Sequence, residues 1–113
     1  MKPMHVIVTV LFSLFFIPAV GVHVYGLFAP ITQESTASHI IHIVSYSVCF
    51  FTFLRAIKYR LLLYALAAVY PFMFHANCFF TPLVQQNKFN AVCLLVIVML
   101  PLGGLWIYKY DRH

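Results

Sequence analysis

Acidic side chains are almost absent from this sequence, which contains only Glu34 and Asp111 among its 113 residues. Both lie outside the long apolar runs of the chain. Ion- and proton-coupled transporters usually place a carboxylate inside the membrane, on the path of the transported ion. The sequence therefore argues against a coupled transporter.

Charge of either sign is scarce as well. Charged residues make up 8% of the chain and hydrophobic residues 64%, whereas a soluble domain has about a quarter of its residues charged. A chain with so few charges cannot cover a water-facing surface with polar groups. The composition therefore predicts that lipid surrounds most of the protein.

Several motifs that carry chemistry are missing. The three cysteines, Cys49, Cys78 and Cys93, form no CxxC pair, which argues against a zinc knuckle or a dithiol redox centre. Neither GxSxG nor HExxH occurs, and no two carboxylates lie close together in the sequence. These absences favour a non-enzymatic protein.

Four long apolar runs are present, at about 4–28, 38–54, 61–80 and 89–108. A helix needs about 20 apolar residues to cross the hydrocarbon core of a bilayer. We therefore predict an all-α membrane protein: one polytopic domain over residues 1–113, folded as an antiparallel bundle of four transmembrane helices.

The basic residues predict the orientation of this bundle. In a four-helix topology six of the seven fall on one side of the membrane, and only Lys88 falls on the other. Because cytoplasmic loops are enriched in Lys and Arg, we predict a multi-pass protein of the cell membrane with both termini cytoplasmic, and the bacterial inner membrane is preferred. The basic residues flank apolar runs, so we expect no nucleic-acid partner. The six are Lys2, Arg55, Lys58, Arg60, Lys109 and Arg112.

One alternative concerns the first apolar run. Lys2, the apolar stretch 6–17 and the small residues Ala19 and Gly21 resemble a cleavable signal peptide. Cleavage there would leave three helices. Since the apolar character continues through residues 22–28, the sequence favours a retained first helix.

Histidines recur at one depth in the predicted bundle. At about 1.5 Å of rise per residue, His23, His42 and His75 all lie in the outer third of the bilayer. Neutral imidazole is a ligand for zinc, copper and haem iron, so these three are our candidate metal ligands, and His39, Cys78 and Cys93 are supporting candidates. Alternatively, the histidines lie near the interface, form hydrogen bonds between helices and bind nothing.

Two functional hypotheses follow from these observations. The first is a non-enzymatic accessory or structural subunit, or a modulator, of a membrane complex; it needs no cofactor, and its partners are the lipid bilayer and another membrane protein or a second copy of the chain. The second is a redox component that binds haem b, copper or zinc at a histidine site near the outer face of the membrane.

Overall fold

The computed structural model describes residues 3–29, 34–80 and 90–111, and it contains four helices. These are α1 (Pro3–Phe28), α2 (Thr36–Leu54), α3 (Arg60–Phe80) and α4 (Asn90–Asp111). Within these described ranges there is no β-strand. The prediction of an all-helical protein with four long apolar helices is confirmed. Helix α2 begins two residues before the predicted bound, and α4 extends three residues beyond it.

All four helices are long and apolar enough to cross a membrane, judged by their length and composition. Large apolar side chains point outward along every helix, as Leu14, Leu66 and Leu105 do with 63–68% of their surface exposed. In water such a surface would be strongly unfavourable. A hydrocarbon environment around the bundle accounts for it.

Three of the basic residues on which the predicted orientation depends lie outside the described residues: Lys2, Lys88 and Arg112. Residue 89, where the fourth helix was predicted to begin, lies outside them as well. Among the described basic residues, Arg55, Lys58 and Arg60 lie at the connection from α2 to α3, and Lys109 lies in the last turn of α4. The orientation of the bundle in a membrane stays a prediction.

Local interactions fix both ends of α2. Ser35 is the N-cap, and its hydroxyl accepts a hydrogen bond of 3.1 Å from the backbone N–H of Ser38, which satisfies one of the free donors of the first turn. At the other end, the Arg60 guanidinium donates to the backbone oxygens of Thr52 and Phe53. The chain therefore enters and leaves α2 at defined residues.

Aromatic rings form the centre of the bundle. Phe16, Tyr46 and Tyr64 are almost completely buried, and the Phe16 ring lies 6.5 Å from both tyrosine rings. The Tyr64 hydroxyl donates a hydrogen bond of 2.8 Å to the backbone oxygen of Leu100. Because that bond joins α3 to α4, the core is tied together by a polar contact as well as by packing.

Each helix packs mainly against its neighbours in sequence, while α1 and α4 meet over a small surface. At the end of the bundle that carries Arg55 and Arg60, the His5 ring on α1 contacts Trp106 and Tyr110 on α4, with centroids 5.3 and 4.4 Å apart. The other histidines described lie at the opposite end, which sets His5 apart from them.

Candidate metal centre

Four buried histidines from three helices meet near the end of the bundle where α1 ends and α2 begins. His23 is on α1, His39 and His42 are on α2, and His75 is on α3. All are at least nine-tenths buried, and His42 is completely buried. Since α2 lies between α1 and α3, its histidines contact those of both neighbours.

His42 has a defined tautomer. Its Nδ1 lies 2.6 Å from Glu34 Oε2 and 3.0 Å from the backbone oxygen of Ser38. Ionised carboxylate and carbonyl oxygens only accept hydrogen bonds, so Nδ1 carries the proton and donates it. In the neutral ring the lone pair is therefore on Nε2, which is buried and has no hydrogen-bond partner among the described residues.

His75 repeats this arrangement on α3. Its Nδ1 donates a hydrogen bond of 2.7 Å to the backbone oxygen of Pro71, one turn earlier in the helix. The His75 lone pair is consequently on Nε2. In both His42 and His75, Nδ1 thus donates to the backbone oxygen four residues earlier in the same helix. The two ring centroids lie 5.3 Å apart.

His23 lies between these groups and His39. Its ring stacks on His42, with centroids 4.2 Å apart and planes 8° apart. Its Nδ1 is 2.9 Å from Nδ1 of His39, so one of these two nitrogens donates to the other. The His39 ring in turn lies against Gly26: a Cβ atom there would be 2.6 Å from the ring carbon Cε1. Glycine at position 26 therefore provides the space for His39.

Glu34 belongs to this cluster, although the sequence analysis gave it no role. Its Oε2 lies 2.6 Å from His42 Nδ1, 3.5 Å from His23 Nδ1 and 3.7 Å from His39 Nδ1. Burial by itself would raise the pKa of this carboxyl, but hydrogen bonds from His42 and Ser38, together with the positive charge of His23 and His42 when they are protonated, outweigh burial and lower the pKa to about 2. Glu34 is thus an anion among histidines at neutral pH.

The spacing of Glu34, Ser38 and His42 is the signal that could have revealed this role. Successive steps of four residues place side chains on one face of a helix. The second helix was predicted to begin at residue 38, which left Glu34 outside the predicted helices, so the pattern was not recognised.

A chain of hydroxyl groups connects the carboxylate to α3. Tyr70 donates a hydrogen bond of 2.9 Å to Ser38 Oγ, and Ser38 Oγ donates one of 2.7 Å to Glu34 Oε2. The carboxylate therefore receives hydrogen bonds from both Ser38 and His42. These contacts hold it in place even though it precedes the first turn of α2.

The ligand atoms form two overlapping sets suitable for a metal ion. His23, His42 and His75 form one set, and His23, Glu34 and His39 form the other, each with its ligand atoms within 4.8 Å of one another. The structure thus brings the three main candidates together. It also places the supporting candidate His39 in a second set, in which Glu34 is a further ligand. Neither set includes Cys78, which is partly buried, or Cys93, which is buried.

Comparison with known proteins gives no further guidance on function. No protein-family model, no curated protein and no solved structure matches this chain. The geometry and chemistry of the cluster are therefore the basis on which a function can be proposed.

Proposed function

We propose that this protein is a small multi-pass membrane protein that binds one transition-metal ion through His23, His42 and His75. The observation that carries the proposal is the state of His42 and His75. Each donates its Nδ1–H to an oxygen and keeps its lone pair on Nε2, which is how a histidine ligand is normally oriented by its surroundings.

The energetics of His42 also support a bound ion. A buried polar atom without a partner costs about 1–3 kcal/mol, and His42 Nε2, like His39 Nε2, has no hydrogen-bond partner in the part of the chain that the structure describes. An ion at this position would satisfy the nitrogen. The carboxylate of Glu34, which accepts the His42 Nδ1–H, would make the imidazole a better ligand.

Zinc and copper are the ions that fit best, because neutral imidazole is a favourable ligand for both. Haem b fits less well. The His23 and His42 rings are stacked with centroids 4.2 Å apart, whereas two histidines that ligate one haem lie on opposite faces of the macrocycle. Because these rings are in contact, there is no room for a porphyrin between them, whereas a single ion requires only that one of the two rings rotate out of the stack.

We further propose that the histidines lie toward the outer face of the bacterial inner membrane. The basic residues Arg55, Lys58 and Arg60 follow α2 at the opposite end of the bundle. By the positive-inside tendency that end is cytoplasmic. The start of α1 and the end of α4 then share the cytoplasmic side.

The proposal is tested by metal binding to the purified protein in detergent. After equilibration with Zn²⁺ or Cu²⁺ and removal of excess metal, we expect about one ion per chain in the wild type. In the double variant His42→Ala/His75→Ala the affinity should fall by more than about 100-fold, since the loss of one outer hydrogen-bond partner alone typically costs 10–100-fold.

His5→Ala is the matched control, because this histidine lies at the other end of the bundle against Trp106 and Tyr110. It should bind metal like the wild type. The proposal would be contradicted by a wild-type protein that retains neither zinc nor copper. It would also be contradicted by a double variant that binds these metals as tightly as the His5→Ala control. Helical content is measured for each variant so that unfolding is recognised.

A second candidate is the accessory or structural subunit of a membrane complex. It is favoured by the apolar surface of the helices, exemplified by Leu14, Leu66 and Leu105. Such a protein interacts with lipid, with another membrane protein or with a second copy of itself. In that case the histidines and Glu34 only join the helices, and the purified complex contains no stoichiometric metal.

A further inference from the structure

The second ligand set, formed by His23, His39 and Glu34, is already spaced for a metal ion. The two Nδ1 atoms are 2.9 Å apart, and they lie 3.5 and 3.7 Å from Glu34 Oε2. Around a tetrahedral zinc ion with bonds of about 2.0 Å, neighbouring ligand atoms are about 3.3 Å apart. Small side-chain adjustments would therefore suffice to bind an ion here, once the proton shared by the two Nδ1 atoms has moved to Nε2 of its own ring.

This outer set lies closer to the end of the bundle than the inner set of His23, His42 and His75. Glu34 precedes α2, and His39 lies in its first turn. His42 follows three residues later, which is about 4.5 Å deeper along the helix. His23 belongs to both sets, so the two positions adjoin each other and share one ligand.

A shared histidine limits the site to one ion at a time. A neutral imidazole has a lone pair on only one of its nitrogens, so His23 can serve one position or the other. Two divalent ions a few ångströms apart would also repel each other strongly in a buried site. Glu34 is the single carboxylate in the two sets, and its one negative charge cannot offset that repulsion.

From these observations we infer that the outer set is the entry position for the ion and that His23 passes it to the inner set. This inference rests on the proposed function. During transfer, the bonds from the ion to His39 Nδ1 and Glu34 Oε2 break, and bonds to Nε2 of His42 and His75 form. His23 remains neutral, with its proton on whichever nitrogen does not hold the ion, and no electron is transferred.

Glu34 has a different role in each state. It is a ligand while the ion is in the outer set. Once the ion has moved inward, the same carboxylate accepts the Nδ1–H of His42 and orients that imidazole. Because Glu34 contributes to both positions, replacing it would change binding at both, and His39 is the better residue for a test.

The test compares rates of zinc uptake in detergent, measured by stopped-flow competition with a chromophoric zinc indicator. In His39→Gln we expect about tenfold slower uptake or more, the scale of losing one well-placed partner at a metal site. The equilibrium affinity and the stoichiometry of one ion per chain should stay close to those of the wild type, because the inner set is intact.

Gly26→Ala provides a second variant that removes no ligand. The added Cβ would lie 2.6–3.1 Å from three atoms of the His39 ring, so the ring must move, and uptake should slow as in His39→Gln. Gly21→Ala is the matched control on the same helix, because its Cβ would meet nothing within 4 Å. Its uptake rate should equal that of the wild type.

Two results would overturn the entry position and leave the proposed function standing. One is a saturated stoichiometry of two zinc ions per chain, and the other is an unchanged uptake rate in both His39→Gln and Gly26→Ala. A wild-type protein that binds no zinc or copper would instead refute the proposed function, and the entry position with it.

Discussion

At the scale of single residues, Gly103 is the glycine at which an added Cβ would meet the nearest neighbour. A Cβ at this residue of α4 would lie 2.2 Å from the Tyr64 hydroxyl oxygen and 2.9 Å from Cζ. The Tyr64 ring is 2% exposed, so its surroundings leave it little room to move away. The close approach of α3 and α4 therefore depends on the missing side chain.

Gly103→Ala should destabilise the bundle by about 1–3 kcal/mol, the usual cost of forcing an extra carbon atom into a packed core. The displaced tyrosine would also lose its hydrogen bond to the Leu100 oxygen. Unfolding in mixed micelles of increasing denaturing-detergent content measures this change. Gly104→Ala is the control, since its Cβ would lie 3.6 Å from the nearest Tyr64 atom; equal unfolding midpoints for the two variants would contradict the argument.

Residues of the histidine cluster differ in how far the sequence could predict them. The common depth of His23, His42 and His75 follows from helix rise and hydropathy, and the structure does bring these side chains together; their role as metal ligands stays a prediction. Glu34 was missed because the second helix was predicted to begin at residue 38, which hid the four-residue spacing of Glu34, Ser38 and His42. The tautomers of His42 and His75 depend on side-chain rotamers, which no sequence pattern specifies.

At the scale of secondary-structure elements, the end of α2 depends on Arg60. The last carbonyl groups of a helix have no partner within that helix, and here the guanidinium of Arg60 binds those of Thr52 and Phe53. The connection is tight, and Tyr59 adopts a positive φ of 59°. A cation at this end is also favourable for the helix dipole.

Replacing Arg60 with leucine should destabilise the protein by about 1.5–3 kcal/mol, the range for hydrogen bonds that involve a charged group. Lys58→Leu removes the same charge from an exposed position in the same connection, and it should change stability by less than about 0.5 kcal/mol. Unfolding free energies of the two variants in the same micelles provide the measurement. A similar loss of unfolding free energy in both variants would show that the positive charge matters and that the hydrogen bonds of Arg60 do not.

The four helices themselves were predictable because hydropathy reports directly on which segments lipid can surround. The start of α2 was less so: Ser35, Thr36 and Ser38 are all suitable N-cap residues, and the structure selects Ser35, whose hydroxyl binds the Ser38 N–H. Choosing among them requires the backbone geometry of the first turn. The sequence-based bound was consequently two residues late.

At the scale of the whole molecule, the decisive property is the side of the membrane on which the histidines lie. We expect reporter fusions placed before α1 and after α4 both to be active in the cytoplasm. A cysteine introduced at Ser35, which caps α2 near the cluster, should react with a membrane-impermeant thiol reagent added from outside. The control is the same substitution at Lys58, which should react only after the membrane is opened.

A fusion after α4 that is active outside the cytoplasm would contradict this topology. Labelling of position 58, and not of position 35, from outside would show that the bundle is inserted the other way round. The chemistry of the cluster would be unchanged in that case, but the ion would enter from the cytoplasm.

The contact between Gly26 and His39 has a consequence for how such a protein can evolve. Because the imidazole fills the volume that any larger residue at position 26 would need, the two positions are not free to mutate independently. A lineage that loses the histidine can then accept alanine or serine at position 26, whereas in one that keeps it the same substitution displaces the imidazole. Paired substitution at positions 26 and 39 would therefore identify descendants in which the His39 imidazole is no longer part of the cluster.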